Sequence, residues 1–357
     1  MTTLFHDSFD DLPDRHHRLL GAAGNFDLGL SWFRNLAATC LDPGDELVLV
    51  ACDVDDTAAA VLPLCRRASP RFLSGARELT ALSNFYTCRF APGLAEGEDP
   101  QRLCRLLADG LRAHPDGVDI VNLDSIARDD PLFDTLAEQF SAAGFFTQPY
   151  FHFGNWYEPV AGVTFDDYMA GRDAALRNTL RRKHRKLERD FAVDLRIVTQ
   201  PDDVDAAMDS YDAVYAASWK EPEPYPDFTR GLAHAAAAVG ALRLGLCFLD
   251  GAPAAAQLWL VAGGQATIFK LAHDERFGKT SVGTVLTAEM ARHTLEVDRV
   301  AEIDFGRGDD SYKQLWLGQR REMWGLLAFN PATPRGLLAA ARHGLLPRLK
   351  RLLRPGH

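Results

Sequence analysis

Several features are missing from this sequence, and each absence narrows the class of protein. No apolar run approaches the length of a membrane span. The opening MTTLFHDSFDDLPDRHH lacks the basic and apolar regions of a signal peptide. The six cysteines are scattered without a Cys-x-x-Cys pair, so we expect buried apolar side chains in a reducing compartment. We therefore expect a cytoplasmic protein.

Familiar motifs of catalysis and nucleotide binding are also missing. There is no Gly-x-Ser-x-Gly elbow and no His-Glu-x-x-His motif. The segment HDERFGKT ends like a P-loop, but His273 stands where that loop requires glycine. His16 and His17 lack the further ligands of a metal site, and we predict no metal. The net charge of −10 argues against general nucleic-acid binding.

The part of the chain from Leu242 to Asn330 carries the clearest pattern. Three apolar segments, at about 242–249, 252–261 and 265–273, are separated by Asp-Gly and Gly-Gly pairs that suit tight hairpin turns. This pattern predicts an antiparallel meander. A polar loop (274–280), an amphipathic helix, a strand, a short helix and a last strand follow, and the order is β-β-β-α-β-α-β.

The helix after this polar loop has a chemical consequence. Ser281 is predicted to cap it. The free backbone N–H groups and the positive end of such a helix attract phosphate. Segments 265–273 and 300–306 would be parallel neighbours, and a splayed pair of such strands forms a cleft.

This arrangement resembles the GNAT (Gcn5-related N-acetyltransferase) superfamily. The resemblance implies that an acyl-CoA pyrophosphate lies on the helix and its pantetheine in the cleft. The predicted cofactor-binding residues are Lys279, Ser281, Val282, Gly283 and Thr284. The superfamily loop is commonly Gln/Arg-x-x-Gly-x-Gly/Ala, whereas KTSVGT keeps one glycine and so departs from that pattern.

The closing motif, DFGRGDDSYKQLW, is more specific. It resembles the pattern Asp-Phe-x-x-Gly-Asp-x-x-Tyr-Lys-x-x-Trp of the CelD/BcsL-like acyltransferases, which are associated with cellulose biosynthesis and related to the FemAB transferases. In an amide-forming transferase, either His273 or Asp304 would accept the proton of the amine. Tyr312 would protonate the departing thiolate, and Lys313 would hold an oxyanion or a phosphate. The predicted substrate-binding residues are Trp219, Arg307, Asp309 and Trp316.

The first part of the chain predicts the same order of elements, so we interpret it as a degenerate copy. The predicted fold class is α+β, with tandem GNAT-like domains that each have a mixed, mostly antiparallel sheet flanked by helices. Four parts are predicted: a degenerate domain (1–160), a basic linker helix (161–191), an acyl-CoA-binding domain (192–332) and a basic amphipathic tail (333–357). The first copy lacks a glycine-containing loop before its helix, so a supporting or acceptor-binding role is expected for it.

Two basic segments stand out against the acidic balance. The helix at 164–191 is either a solvated linker or a docking face for the CoA 3′-phosphate, a lipid phosphate or tRNA. The tail at 333–357 contains no acidic residue. It is either a membrane-surface helix or a helix that caps a domain.

Three functions fit these patterns. The first is an acyl-CoA-dependent N-acyltransferase that acts at the membrane or envelope, on a long-chain sphingoid base (forming a ceramide) or an amino sugar. The second is a FemAB-type transferase that uses aminoacyl-tRNA. The third is a non-catalytic component of a polysaccharide-export assembly.

Overall fold

The structure, a computed structural model, describes residues 1–21, 24–68 and 75–345. It forms two compact units. Unit 1 comprises Met1–Ala23, Asp27–Phe153 and Arg321–His357, and unit 2 comprises Gly24–Phe26 and Gly154–Arg320. This division differs from the predicted domain boundaries, since the predicted linker helix lies in unit 2.

The strands are numbered along the chain, with bounds as follows: β1 (Thr2–His6), β2 (Glu46–Val54), β3 (Thr57–Arg66), β4 (Glu78–Ala81), β5 (Gly93–Leu94), β6 (Ile120–Ala127), β7 (Phe146–Pro159), β8 (Val193–Val198), β9 (Leu242–Leu249), β10 (Ala252–Ala262), β11 (Gln265–His273), β12 (Glu302–Arg307) and β13 (Gln319–Phe329).

The α-helices are numbered in the same way: α1 (Asp14–His17), α2 (Leu30–Thr39), α3 (Pro100–Arg112), α4 (Pro131–Ala142), α5 (Phe165–Ala170), α6 (Ala174–Asp190), α7 (Val204–Ala216), α8 (Pro226–Ala238), α9 (Val282–Glu296) and α10 (Pro334–Ala340). Two 3-10 helices also matter for the site, Glu275–Thr280 and Ser311–Leu315.

Unit 1 is built on the strand order β1-β2-β3-β4-β6-β13. Its pairs are antiparallel except for β4 and β6, which run parallel. Buried apolar side chains on α3 pack beside β2 and β3, including Leu103, Leu107 and Leu111. All six cysteines are buried thiols, as predicted.

Unit 2 repeats this plan with the order β7-β12-β11-β10-β9-β8. Its pairs are also antiparallel except for one, β11 with β12. The helix α9 packs on β9 and β10. Gly245 lies so close to Met290 that a Cβ at this position would meet the Met290 sulfur. The predicted α+β fold class, with two units of the same plan and mostly antiparallel sheets, is confirmed.

The predicted meander and its parallel neighbour are confirmed in detail. Strands β9, β10 and β11 have almost the predicted bounds. The β11–β12 pairing is parallel, but it covers only three residues of each strand, ending at Thr267 opposite Asp304.

Several local predictions are wrong. The polar loop at 274–280 contains a 3-10 helix, and Ser281 does not cap α9, because it has left-handed backbone (φ 63°) and makes no side-chain cap bond. The helix predicted at 164–191 is two helices, and Asp173 caps the second through the Ala175 N–H. The extended segment predicted at 78–92 forms a strand only over Glu78–Ala81.

The last predicted strand has a partner that the local sequence does not show. The sequence predicts it as part of the second copy, but β13 pairs with β6 of unit 1, from Met323 opposite Ala127 to Phe329 opposite Ile120. The bounds of β13 match the prediction closely. Its partner could not be predicted because strand pairing is a tertiary choice.

The basic tail is described only in part. Residues of α10 pack in unit 1, and a Cβ at Gly336 would collide with the Asn330 carbonyl oxygen. The rest of the predicted amphipathic tail, 346–357, lies outside the described residues. No helix in the described part of the chain is long and apolar enough to cross a membrane.

Candidate active site

The cleft predicted between β11 and β12 starts where their pairing ends. Beyond Thr267 and Asp304 no further pair joins the two strands. In β11 the register with β10 shifts so that Phe269 is skipped, which marks a β-bulge. Bulges bend a strand, increase its twist and are frequent beside active sites. Gly306 (φ 62°) turns β12 at the same level.

Asp304 holds this divergence point. It is 1 % exposed, and its carboxylate accepts three hydrogen bonds, from Asn155 Nδ2 (2.6 Å), the Gly306 N–H (2.7 Å) and Gln265 Nε2 (3.0 Å). Three fixed donors occupy the oxygens of this carboxylate, so the carboxylate holds them in place. The geometry therefore fits a positioning role for Asp304 better than that of a proton acceptor.

Lys313 is also fully engaged. Its ammonium group donates to the carbonyl oxygens of Arg307 (2.7 Å) and Gly308 (3.1 Å) and lies 3.5 Å from the Asp310 carboxylate. The side chain is buried. Because an ammonium group has three N–H donors, these contacts fix the turn at 307–310 rather than leave a donor for an oxyanion.

Tyr312 stands apart from these anchored groups. Its ring is 41 % exposed and lies 6.3 Å from the ring of Phe305. The phenol has no hydrogen-bond partner among the residues that the structure describes. Desolvation raises the pKa of Tyr312 to about 12, so the group is a proton donor throughout the neutral range.

The three remaining predicted residues of the closing motif have structural contacts. Asp309 forms a two-point ion pair with Arg320 (both distances 2.8 Å), which lowers its pKa. The indole of Trp316 is buried in the core of unit 2. Arg307 ends β12, and its carbonyl is the one that Lys313 binds.

The opposite wall of the cleft contains a charged cluster that sequence reasoning missed. Glu223 Oε1 accepts hydrogen bonds from the Tyr215 hydroxyl (2.5 Å) and from Lys270 Nζ (2.6 Å). Lys270 directly follows the bulged Phe269. The loop after α7, KEPEPYPD at 220–227, is broken by prolines, and no motif in it indicated Glu223.

Lys220 belongs to the same cluster. Its ammonium group lies 5.9 Å from the ring of Tyr215 and 6.0 Å from the ring of Trp219. Desolvation lowers the pKa of Lys220, and the positive charge of Lys270 lowers it further. The charges of Asp310 and Lys313 also act on this pKa, Asp310 raising it and Lys313 lowering it.

His273 and Trp219 meet at the far end of β11. Their ring centroids are 4.6 Å apart, and Trp219 is half exposed. Burial lowers the pKa of His273, which keeps the imidazole neutral at pH 7. A Cβ at Gly283 would lie 3.6 Å from His273 Nδ1, so His273 borders the start of α9.

The start of α9 has the geometry of an anion site. Thr280 Oγ1 accepts from the Val282 N–H (3.3 Å), while the N–H groups of Gly283 and Thr284 have no acceptor among the described residues. Such orphan donors in the first turn of a helix suit phosphate. Lys279 is exposed beside them, and its carbonyl accepts from Lys183 of α6 (2.7 Å).

A second missed residue fixes this helix to the sheet. Gln257 of β10 is buried, and its Nε2 donates to the Gly283 carbonyl (3.0 Å) and to Thr287 Oγ1 (2.8 Å). The Trp259 indole donates to Gln257 Oε1 (2.9 Å). The sequence did contain a signal for Gln257, which is a polar residue within an apolar strand. A buried amide needs hydrogen-bond partners, so such a residue indicates a structural role.

The predicted site residues thus form two groups in unit 2. Lys279, Ser281, Val282, Gly283, Thr284, His273 and Trp219 lie at the α9 end of the cleft. The second group lies where β11 and β12 diverge and consists of Asp304, Arg307, Asp309, Tyr312, Lys313 and Trp316. No cluster that could hold a metal ion occurs in the described ranges.

Comparisons with known proteins agree with this architecture. Residues 174–314 match the family model Acetyltransferase (GNAT) domain. No curated protein matches the chain.

Solved structures with low identity share the fold. FemX has a TM-score of 0.62 at 10 % identity, over 91 % of this chain and 97 % of that chain. The C-terminal domain of an Agrobacterium fabrum protein described as a lysylphosphatidylglycerol synthetase has a TM-score of 0.57 at 14 % identity, over 92 % and 94 %. L-PGS from Bacillus licheniformis has a TM-score of 0.55 at 12 % identity, over 94 % and 97 %.

The network at Asp304 gives a testable prediction. Asp304→Asn places an NH₂ group against one of three fixed donors, so we expect a loss of about 1–3 kcal/mol in the free energy of unfolding. Chemical denaturation measures it. Asp310→Asn is the matched control, because its carboxylate is exposed, and it should change stability by less than about 1 kcal/mol. Equal stability of Asp304→Asn and the parent would refute the positioning role.

Proposed function

We propose that the protein is an acyl-CoA-dependent N-acyltransferase. The observation that carries the proposal is a splayed parallel strand pair with a β-bulge that leads into a helix start with two orphan N–H groups. The GNAT domain match over residues 174–314 supports the same reaction class. The acceptor class, an amine at the membrane or envelope such as a sphingoid base or an amino sugar, rests on the resemblance of the closing motif.

The residues at the α9 end suit the phosphates of acyl-CoA. The N–H groups of Gly283 and Thr284 would bind the pyrophosphate, with Lys279 and Lys183 beside them. His273 would contact the phosphates as a neutral donor, because it borders Gly283. A strand rises about 3.3 Å per residue, so His273 lies on the order of 13 Å from the bulge at Phe269. The thioester would lie at the bulge, beyond the reach of His273.

The residues near the bulge would perform the proton transfers. The acceptor nitrogen attacks the thioester carbonyl carbon, and Lys220 takes the proton from that nitrogen. The carbon–sulfur bond then breaks, and Tyr312 gives its proton to the thiolate sulfur. A lysine whose pKa is lowered by burial is a suitable base, and a phenol that stays protonated is a suitable acid.

The FemAB-type reaction with aminoacyl-tRNA is the second candidate. It is favoured by the basic helix α6, which reaches the phosphate loop through the Lys183–Lys279 contact. The melting temperature with acetyl-CoA, palmitoyl-CoA and tRNA separates the two. Stabilisation by acyl-CoA supports the N-acyltransferase, and stabilisation by tRNA alone would replace it.

The proposed phosphate site gives the first test of this function. Gly283→Asp should weaken acetyl-CoA binding at least tenfold, because a carboxylate would face the pyrophosphate. A Cβ there meets His273 at an ordinary distance of 3.6 Å, so Gly283→Ala should fold and bind with a much smaller loss. Calorimetric titration measures both affinities. Unchanged affinity in Gly283→Asp would remove this loop from the site.

The second prediction concerns Tyr312. Tyr312→Phe should lower kcat with a palmitoyl-CoA donor by about 10²-fold with little change in KM, because the thiolate leaves unprotonated. A thiophenyl ester of the same acid has a better leaving group, and kcat with this donor should fall much less. An equal loss with both donors would show that Tyr312 acts by packing.

The third prediction concerns Lys220 and pH. With an aromatic amine, which is uncharged at neutral pH, activity should rise with pH through the lowered pKa of Lys220, because the base must be neutral. Lys220→Arg keeps the charge but cannot accept a proton, so this limb should vanish and kcat should fall about 10²–10⁴-fold. Lys186→Gln on α6 is the control. An unchanged pH profile in Lys220→Arg would exclude Lys220 as the base.

A further inference from the structure

A cavity lies in unit 2 apart from the cleft, between α5, α6, β8 and α9. Its volume is about 280 Å³, just below the usual range of about 300–1,000 Å³ for small-ligand pockets. It has an apolar floor, formed by Phe165, Met169, Leu180, Leu195, Val285 and Ala288. Among these floor residues, Leu180 is the one that α6 contributes.

The rim of the cavity is cationic. Arg177 and Arg181 are one turn apart on α6, so they lie on the same face, and both line the cavity. Neither has an acidic partner within the part of the chain that the structure describes. Arg292 of α9 lies 4.1 Å from the ring of Phe165 and 3.6 Å from the carboxylate of Glu289. Glu289 therefore offsets Arg292 and leaves the two α6 arginines for a ligand.

The two arginines that line this cavity, which we call the groove, have different surroundings from the other basic residues of α6. Lys183 is directed to the phosphate loop, where it binds the Lys279 carbonyl. Arg182 and Arg185 are exposed and do not line the cavity. Arg177 and Arg181 are the arginines of α6 that line this cavity.

We infer that this groove binds the headgroup of an anionic phospholipid. Guanidinium groups bind phosphate oxygens in a two-point geometry, and the apolar floor suits the first part of an acyl chain. A nucleic-acid backbone would use the charges but not the floor, so the combination favours a lipid. The groove goes beyond the proposed reaction and involves none of the residues assigned to it.

A short-chain lipid below its micelle concentration tests the groove without a membrane surface. We expect the full chain to bind dihexanoyl phosphatidylglycerol saturably, and at least tenfold more tightly than glycerol phosphate or dihexanoyl phosphatidylcholine. R177Q/R181Q should weaken binding at least tenfold. R182Q/R185Q removes the same charge from the same helix and should change the affinity less than threefold.

A second variant tests the apolar floor while keeping all charges. Ala288→Phe should fill the cavity and abolish lipid binding, and its circular dichroism and melting temperature report whether it folds. Should this variant unfold, Leu180→Gln, which makes the half-buried floor polar, replaces it. Anionic vesicles of phosphatidylglycerol and phosphatidylcholine should then recruit the parent protein more strongly than R177Q/R181Q.

Three outcomes would overturn the inference. Equal losses in R177Q/R181Q and R182Q/R185Q would show a general basic surface, which tRNA could also use. Binding of glycerol phosphate as tight as that of the lipid would show that the floor has no role. A loss of acetyl-CoA affinity in R177Q/R181Q, with lipid and CoA competing, would assign the arginines to the CoA 3′-phosphate. The acetyl-CoA melting shift of the parent reports the proposed reaction separately.

Discussion

The carboxylate of Asp304 is the interaction on which the candidate site depends. It lies at the last paired position of β11 and β12 and binds donors from three elements: Asn155 of β7, Gln265 of β11 and the turn at Gly306. Beyond this point the strands diverge. A buried carboxylate that accepts three hydrogen bonds is held rigidly. Any movement that breaks one of these bonds leaves a buried polar group without a partner, which costs free energy. The point at which β11 and β12 separate to form the cleft is therefore fixed.

Polar groups lie beside the middle of β11 and at its far end. The bulge at Phe269 and the charged cluster of Lys220, Glu223 and Lys270 lie near the divergence. His273 and the first turn of α9 lie at the far end of β11. Gln257 ties that turn to β10. Under the proposed function, the phosphates of a long acyl-CoA donor would be bound at one end of this stretch and its thioester would react at the other.

Catalytic or substrate-binding roles were predicted for the residues of the closing motif, but several of them make contacts that stabilise the local structure. Lys313 is bound by backbone carbonyls, Asp309 by Arg320, and Trp316 is packed in the core. Asp304 and Lys313 are bound by neighbouring groups, whereas the Tyr312 hydroxyl has no hydrogen-bond partner among the described residues. The closing motif identifies the location of the site, because a turn with one fixed conformation requires particular residues. The motif does not distinguish the residues that stabilise the turn from those that react.

The sequence by itself determined the order of the elements from β9 to β13. Alternating apolar patterns and Gly-containing turns gave β9, β10 and β11 within about a residue of their observed bounds, because side-chain period and turn conformation are local properties. The tandem repeat followed from the same patterns. Tertiary structure decided the rest. The pairing of β13 with β6, the contact of Glu223 with Lys270 and the cage around Asp304 join residues far apart in sequence. Such contacts depend on which buried polar groups can satisfy one another in space.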